Sequence, residues 1–452
     1  MATGPRAETP IRLESELLER FLSLEAEPAS VFARKRLTLV MCVLVAGVAV
    51  AGAWTDDEKT LEGREYATTR FVPTVEAAFE RESYRPGQSA RIVIDDPSRT
   101  LTLRVFRTGP ERGLVYRDTD LRGIAVTPPR TIRKNRGRRE LVLPVGEWPS
   151  GLYFVRVSSP DGRVGFAPFV VAPRTLGRHR VAVVFPTLTW QAYNFRDDDG
   201  DGRGDSWYTT MGRDTVRLGR PHLNRGVPYG LPSHLGFLNW LSWTGREVDY
   251  LSQWDLERAP SRGALARAYD LIVFAGHHEY VTTREYNLVE GYRDLGGNLV
   301  FLAANNFFWR VERAGDDIVR LRKWRDVGRP EAALVGVQYL TYQRSPRAAW
   351  IVRRSPAGSW LFSGTRLRVG DRFSRGGVEI DQVTSASPRG IQVVAEIPNL
   401  FGAGKTAQMT YYETGSGAKV FAAGAFHLTR SVTSDPITWR LLENLWWRLA
   451  NP

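Results

Sequence analysis

Four strand-length runs in this chain have no polar face: "RVAVVFP" (180–186), "DLIVFAG" (270–276), "NLVFLAAN" (298–305) and "AKVFAAG" (418–424). A strand that is apolar on both faces must be covered on both, which is the condition inside a parallel sheet flanked by helices. The text between the runs supplies those helices. "PSHLGFLNWLSWTG" (232–245) and "SRGALARAY" (261–269) have helical spacing, with the short strand "EVDYLS" (247–252) between them. Thr282 with Glu285 three residues on predicts a capping box for a helix that ends at "LGG" (295–297). "PITWRLLENLWWRLA" (436–450) reads as a closing helix. The fold class expected is therefore α/β, a parallel-sheet domain over residues 175–452, with β-like text at 336–400 as an insertion or extra sheet.

Upstream the grammar changes. "ARIVIDD" (90–96), "LTLRVFRT" (101–108), "RELVLPV" (139–145), "GLYFVRVSS" (151–159) and "GFAPFVVAP" (165–173) are short strands separated by "DPS", "WPSG" and "PDGR". That spacing predicts a β-sandwich over 71–174. Residues 55–70 read as a polar linker. Residues 37–54, "LTLVMCVLVAGVAVAGAW", carry no charge over eighteen positions and follow Arg34, Lys35 and Arg36. Eighteen apolar residues just span a bilayer, and the basic flank keeps the N-terminus inside. The expectation is a single-pass anchor in the cell membrane, with residues 1–36 as a cytoplasmic tail and the main domains outside the cytoplasm. Small residues before Trp54 leave a cleaved, secreted form open. The one cysteine, Cys42, lies in this segment, so the exported part has no disulfide and no cysteine nucleophile. The net charge of +13 comes from 56 Arg and 6 Lys spread along the whole chain. Without a basic cluster or an aromatic–basic motif, this argues against a nucleic-acid partner.

The candidate chemistry sits where the apolar strands end. "GHHEY" (276–280) follows one run and precedes a helix, the position where open α/β sheets bind ligands. In extended backbone His277 and Glu279 point one way and His278 the other. A histidine and a carboxylate converging there suit metal ligation or acid–base work. "NFRDDDGDGRGDSWY" (194–208) places Asp197, Asp199, Asp201 and Asp205 in the rhythm of a calcium loop, although Tyr208 stands where such a loop ends in glutamate. "AANNFFWR" (303–310) offers Asn305 and Asn306, "YYETGSGAKV" (411–420) a hairpin with Glu413, and "GAFHLTRS" (424–431) His427.

"PTLTWQAYN" (186–194), "GDSWY" (204–208), "VFAGHHEY" (273–280), "GGNLVFLAANNFFWR" (296–310) and "GAKVFAAG" (417–424) together resemble the C-terminal domain of the N,N-dimethylformamidase large (beta) subunit and its relatives. The resemblance spans roughly residues 150–450. It implies a fold similar to class I glutamine amidotransferases, following a β-rich domain. It also implies a mononuclear iron held by two tyrosines and a glutamate. The glutamate carries onto Glu279 and one tyrosine onto Tyr193; the second is assigned to Tyr208, with Tyr229 in reserve. The groups around the metal carry onto His277, Asn305, Glu413 and, more loosely, Lys323. In that scheme Glu413 is the general base and His277 and Asn305 bind the developing oxyanion, while His278 faces away and is dispensable.

Two functions follow. The first is an exported metal-dependent hydrolase of an amide or similar carbon–nitrogen bond, with iron and a structural calcium. The second is a non-catalytic surface module for a glycan or envelope component, suggested by Trp207, Trp243 and Trp254. The sequence is compatible with a homo-oligomer and leaves open the small subunit that the family amidase uses.

Overall fold

The computed structural model describes residues 74–450 except 112–120, 134–136, 203, 209–213 and 224. The tail, the apolar segment 37–54 and the linker lie outside the described residues. Among the described residues, no helix is long and apolar enough to cross a membrane.

Two antiparallel sheets open the described chain. One runs β1 (Glu76–Phe79), β3 (Ser89–Asp96), β7 (Gly137–Pro144). The other runs β2 (Ser83–Tyr84), β9 (Val164–Val171), β8 (Gly151–Ser158), β4 (Thr100–Arg107), β5 (Ile124–Ala125), with β6 (Arg130–Arg133) also on β4; here β2 and β9 alone pair in parallel. Ile92 and Ile94 of the first sheet share a core with Val105, Tyr153 and Val155 of the second. Strand β8 is buried at five consecutive positions, and its opposite face explains why. There Leu152 and Phe154 join a second core containing Val183 and Trp240 from the following half of the chain. The second sheet is thus covered on both faces.

The largest sheet has ten strands: β12 (Asp249–Ser252), β10 (Val181–Phe185), β13 (Leu271–Phe274), β15 (Asn298–Phe301), β22 (Lys419–Ala422), β21 (Ala407–Glu413), β20 (Gln392–Ile397), β18 (Gln338–Val352), β19 (Arg372–Gln382) and β23 (Ala425–Phe426). The first five are mutually parallel, and these contain the four apolar runs. The remaining pairings are antiparallel. The expected parallel sheet is therefore half of a mixed one. The text at 336–400 extends it as β18, β19 and β20 rather than forming a separate insertion.

Helices cover the sheet, on its parallel half as the apolar runs require. They are α1 (Thr187–Ala192), α2 (Leu231–Trp243), α3 (Gln253–Glu257), α4 (Arg262–Ala268), α5 (Thr283–Asp294), α6 (Ala332–Val335), α7 (Pro356–Leu361), α8 (Leu428–Ser431) and α9 (Pro436–Leu449). Alternate residues of β10 serve the two faces. Val181 and Val183 pack with Trp240 of α2 and Leu441 of α9. Ala182 and Val184 pack with Leu265 of α4 and Tyr286 of α5. A small sheet of β11 (Thr215–Arg217), β17 (Asp317–Lys323), β16 (Trp309–Ala314) and β14 (Tyr280–Thr282) lies beyond the carboxyl ends of β13 and β15. At α5, Thr282 Oγ1 accepts from Glu285 N, but the Glu285 carboxylate accepts from Gln253 instead of closing a capping box.

Candidate active site

Neighbouring strand ends deliver the site. Strand β10 passes through Pro186 into α1, whose six residues are all buried, and α1 ends at Tyr193. Strand β13 ends at Phe274, and the chain then bends at Gly276 and passes through His277 and Glu279 into β14. Gly276 is required in that passage, because a Cβ there would lie 1.9 Å from Nε2 of His234 on α2.

The alternation of extended backbone separates the two histidines. His277 Nε2 lies 3.2 Å from Glu279 Oε2. His278 points into the core, where its ring meets Phe274 edge-on and its Nδ1 bonds the carbonyl of Gly276 at 3.0 Å. Burial lowers its pKa to about 3, so it stays neutral. Its ring and this bond make it part of the core beneath the site.

Glu279 is 1% exposed and gathers phenols. The Tyr193 hydroxyl donates to its Oε2 at 2.6 Å, and the Tyr208 hydroxyl to its Oε1 at 3.1 Å. The rings of Tyr193 and Tyr208 stack with centroids 4.6 Å apart. The Tyr280 hydroxyl also bonds that of Tyr208, a partner that periodicity gave no reason to expect, since in a strand it should face away from Glu279. Burial, reinforced by the Glu279 carboxylate, pushes both the Tyr193 and Tyr208 phenols well above the usual range. Tyr229, held in reserve from the sequence, stacks behind Tyr193 at 6.4 Å and is 37% exposed.

Past β15, the two asparagines divide their work. Asn306 Oδ1 accepts from His278 N and its Nδ2 donates to Ala303 O, so it pins the two strand ends together. Asn305 has φ +53° and is fully buried, and its backbone N–H donates to Asp381. Neither polar atom of its side chain has a protein partner. A buried amide with nothing to bond costs about 1–3 kcal/mol, which a bound ligand would recover.

The second carboxylate of the site is Glu379, which sequence reasoning missed. It is 3% exposed on β19, with Oε2 3.5 Å from His277 Nε2. Asp381, two residues on, is buried beneath Asn305, and burial holds its carboxyl well above the usual range. Strand β19 reaches this place by pairing with β23, which also packs Phe426 on the His277 ring at 5.0 Å.

Glu413 does not join the site. It pairs with Lys419 at the amino end of β22, at the opposite edge of the parallel strands, and bonds Tyr411 and Arg448. The hairpin was legible but not the edge it occupies. The Lys323 ammonium lies 5.1 Å over the rings of Phe308 and Trp309, which share a core with Tyr208 and Tyr280. His427 accepts from Arg347 Nε at 2.8 Å. Trp207 is buried and Trp254 lies under Arg258 and Arg313, so of the three tryptophans suggested for surface binding only Trp243 is exposed.

Between the two tyrosines lies the acidic loop. Asp197, Asp199 and Asp205 bring ligand oxygens within 4.8 Å of one another, without Asp201. Gly200 and Gly202, both at positive φ, donate their N–H groups to Asp197, and Asp198 N donates to Asp205. Just beyond, the Ser206 hydroxyl bonds Ala192 O, tying the loop to the end of α1.

Similar proteins bear on this arrangement. The N,N-dimethylformamidase beta subunit of Alcaligenes sp is 34% identical over 128 residues, 28% of this chain and 16% of that protein. Its counterpart from Paracoccus aminophilus is 32% identical over 127 residues, 27% of this chain and 16% of that protein. Each match thus spans about a sixth of the relative's length. Among solved structures, a conjugative transposon lipoprotein from Bacteroides eggerthii matches 22% of this chain and 94% of its own at 19% identity, with a TM-score of 0.14, too low to inform the fold. The family model described as N,N-dimethylformamidase beta subunit-like, C-terminal, matches residues 136–436, a span that holds every residue of the tyrosine–glutamate cluster. The chain belongs to the N,N-dimethylformamidase beta subunit-like, C-terminal family.

Proposed function

We propose that this protein is a metal-dependent hydrolase of an amide or related carbon–nitrogen bond. The observation that carries the reading is the convergence of the Tyr193 and Tyr208 hydroxyls on the buried Glu279 carboxylate. Two phenol oxygens and a carboxylate make an all-oxygen donor set, the kind a hard cation prefers. The family resemblance supports iron as that cation, and the orphaned Asn305 amide fits a site built around a ligand. When bound, such a metal polarises a carbonyl and lowers the pKa of bound water.

The chain's own groups supply the rest. His277 and Asn305 donate to the carbonyl oxygen as negative charge develops on it. Glu379 takes a proton from the attacking water and delivers it to the departing amine nitrogen, the role that position denies to Glu413. Small amides such as N,N-dimethylformamide are the first substrates to try. The α/β half is read as glutamine amidotransferase-like on its five parallel strands and the helices on both faces. Metal analysis of the purified protein tests the centre: about one iron per chain is expected, and a protein without transition metal would sink the reading.

The acidic loop is proposed to hold calcium through Asp197, Asp199 and Asp205. An ion that binds only the folded state at 100 times its Kd stabilises it by about 2.7 kcal/mol. Chelation should lower the melting temperature, Asp199→Asn should abolish that sensitivity, and Asp201→Asn should leave it. Identical melting with and without calcium would reduce the loop to a solvated turn.

Export through residues 37–54 is part of the same proposal, supported by their apolar run behind a basic flank. Protease applied to intact cells should destroy a C-terminal tag and spare an N-terminal one. A protected C-terminal tag would overturn the topology.

A further inference from the structure

The tyrosines and the glutamate of the cluster ride on different elements, and one buried side chain joins those elements. Tyr193 follows α1, at the end of β10. Glu279 precedes Tyr280 of β14, beyond the end of β13. Strand β10 lies between β12 and β13. Gln253, the first residue of α3 after β12, is fully buried, and its amide reaches across the end of β10. Its Oε1 accepts from Leu188 N at 2.9 Å. Its Nε2 donates to Tyr280 O at 2.8 Å and to Glu285 Oε2 at 2.9 Å. Leu188 N lies in the first turn of α1, where N–H groups lack a partner within the helix. Beside the Tyr193–Glu279 bond itself, a longer tie across this gap runs from Tyr280 N to Thr189 Oγ1 at 3.4 Å.

We infer that Gln253 is a positioning residue that fixes the spacing between Tyr193 and Glu279, and so the donor geometry of the metal centre. The inference rests on the metal reading above for its consequence, but not for its geometry. Gln253 touches neither the phenols nor the carboxylate; it acts through the backbone of the two elements that carry them. The same seam brings in the upstream sheets. Thr187 Oγ1 accepts from Gln253 N and bonds Glu82, in the connection between β1 and β2. Arg313 then links Glu82 to Glu257 at the far end of α3. The β-rich half thus braces the helix that presents Tyr193.

A single amide that makes three of the four hydrogen bonds open to it cannot be replaced by a shorter or apolar side chain without loosening one element. Gln253→Met should therefore retain the fold but weaken iron retention against a competing chelator by about 10–100-fold, the cost typical of losing an outer support of a metal ligand. A control separates this from general destabilisation. Asn298 is also a buried amide joining two elements, donating to Leu449 O and accepting from Lys419 N, but at the opposite edge of the parallel strands. Asn298→Leu should lower the melting temperature comparably and leave iron retention unchanged.

A metal-free measurement judges the geometry by itself. The full chain is labelled with 3-fluorotyrosine, and the Tyr193 signal is identified by its loss in Tyr193→Phe. Gln253→Met should shift that fluorine resonance, and Asn298→Leu should not. If Gln253→Met does not fold, Gln253→Asn, which keeps the amide but shortens its reach by one methylene, carries the same test. A parent protein that takes up no iron removes the metal reading, and the fluorine shift still decides the role of Gln253. An unmoved Tyr193 resonance in the folded variant overturns the inference, as does parental iron retention.

Discussion

Replacing Glu279 with alanine is expected to remove iron and turnover together. Both Tyr193 and Tyr208 donate to this carboxylate, so its loss deletes one donor and removes the acceptor the two hydroxyls share, while Tyr208 keeps its bond to the Tyr280 hydroxyl. His277→Ala should behave differently. Its Nε2 lies between Glu279 and Glu379 but is not among the proposed ligands, so iron stays while turnover falls about 10²–10³-fold, the cost of one lost oxyanion donor. His278→Ala should lose neither iron nor mechanism directly. It should lose stability, about 2–4 kcal/mol, because a fully buried ring packed on Phe274 leaves a cavity and an unbonded Gly276 carbonyl. Iron content, turnover on small amides and melting temperature separate the three. Full iron occupancy in Glu279→Ala would sink the assignment, whatever the activity.

Gly226→Ala should be among the most damaging changes in the protein. The residue sits at φ +85°, where an L side chain is strained, and a Cβ would lie 1.7 Å from the backbone oxygen of Phe166. Phe166 is in β9, and its N–H donates to Arg225 O at 2.7 Å, so the clash falls on the contact that fastens Arg225 and Gly226 to the sheet of β9. Backbone cannot move aside as a side-chain tip can. The expected loss is about 3 kcal/mol or more, combining positive-φ strain with overpacking. The melting temperature should drop well beyond that of Gly162→Ala. Gly162 has a similar φ of +87° but open space around its Cβ position. Equal losses in the two variants would show that strain alone, not the close approach, governs Gly226.

What the sequence determined here is what depends on short-range order. The two-faced apolar runs marked four of the five parallel strands, and the alternation at 277–279 separated His277 from His278. Both follow from the period of extended backbone, which needs no knowledge of the rest of the chain. The sequence could not say where distant strands pair. Glu379 lies about a hundred residues from Glu279 and enters the site only because β19 hydrogen-bonds β23 beyond the end of β22. Glu413 lies in text just as suggestive and was carried to the opposite edge by the register of its hairpin. The upstream β8 was likewise legible as a strand, but its second buried face exists only because the α/β half packs on it. Gln253 carries no local signal at all; its meaning comes from three hydrogen bonds to residues 27 to 65 positions away. Periodicity is written residue by residue, whereas strand order and the meeting of strand ends are set by which surfaces bury one another, and that only the folded chain decides.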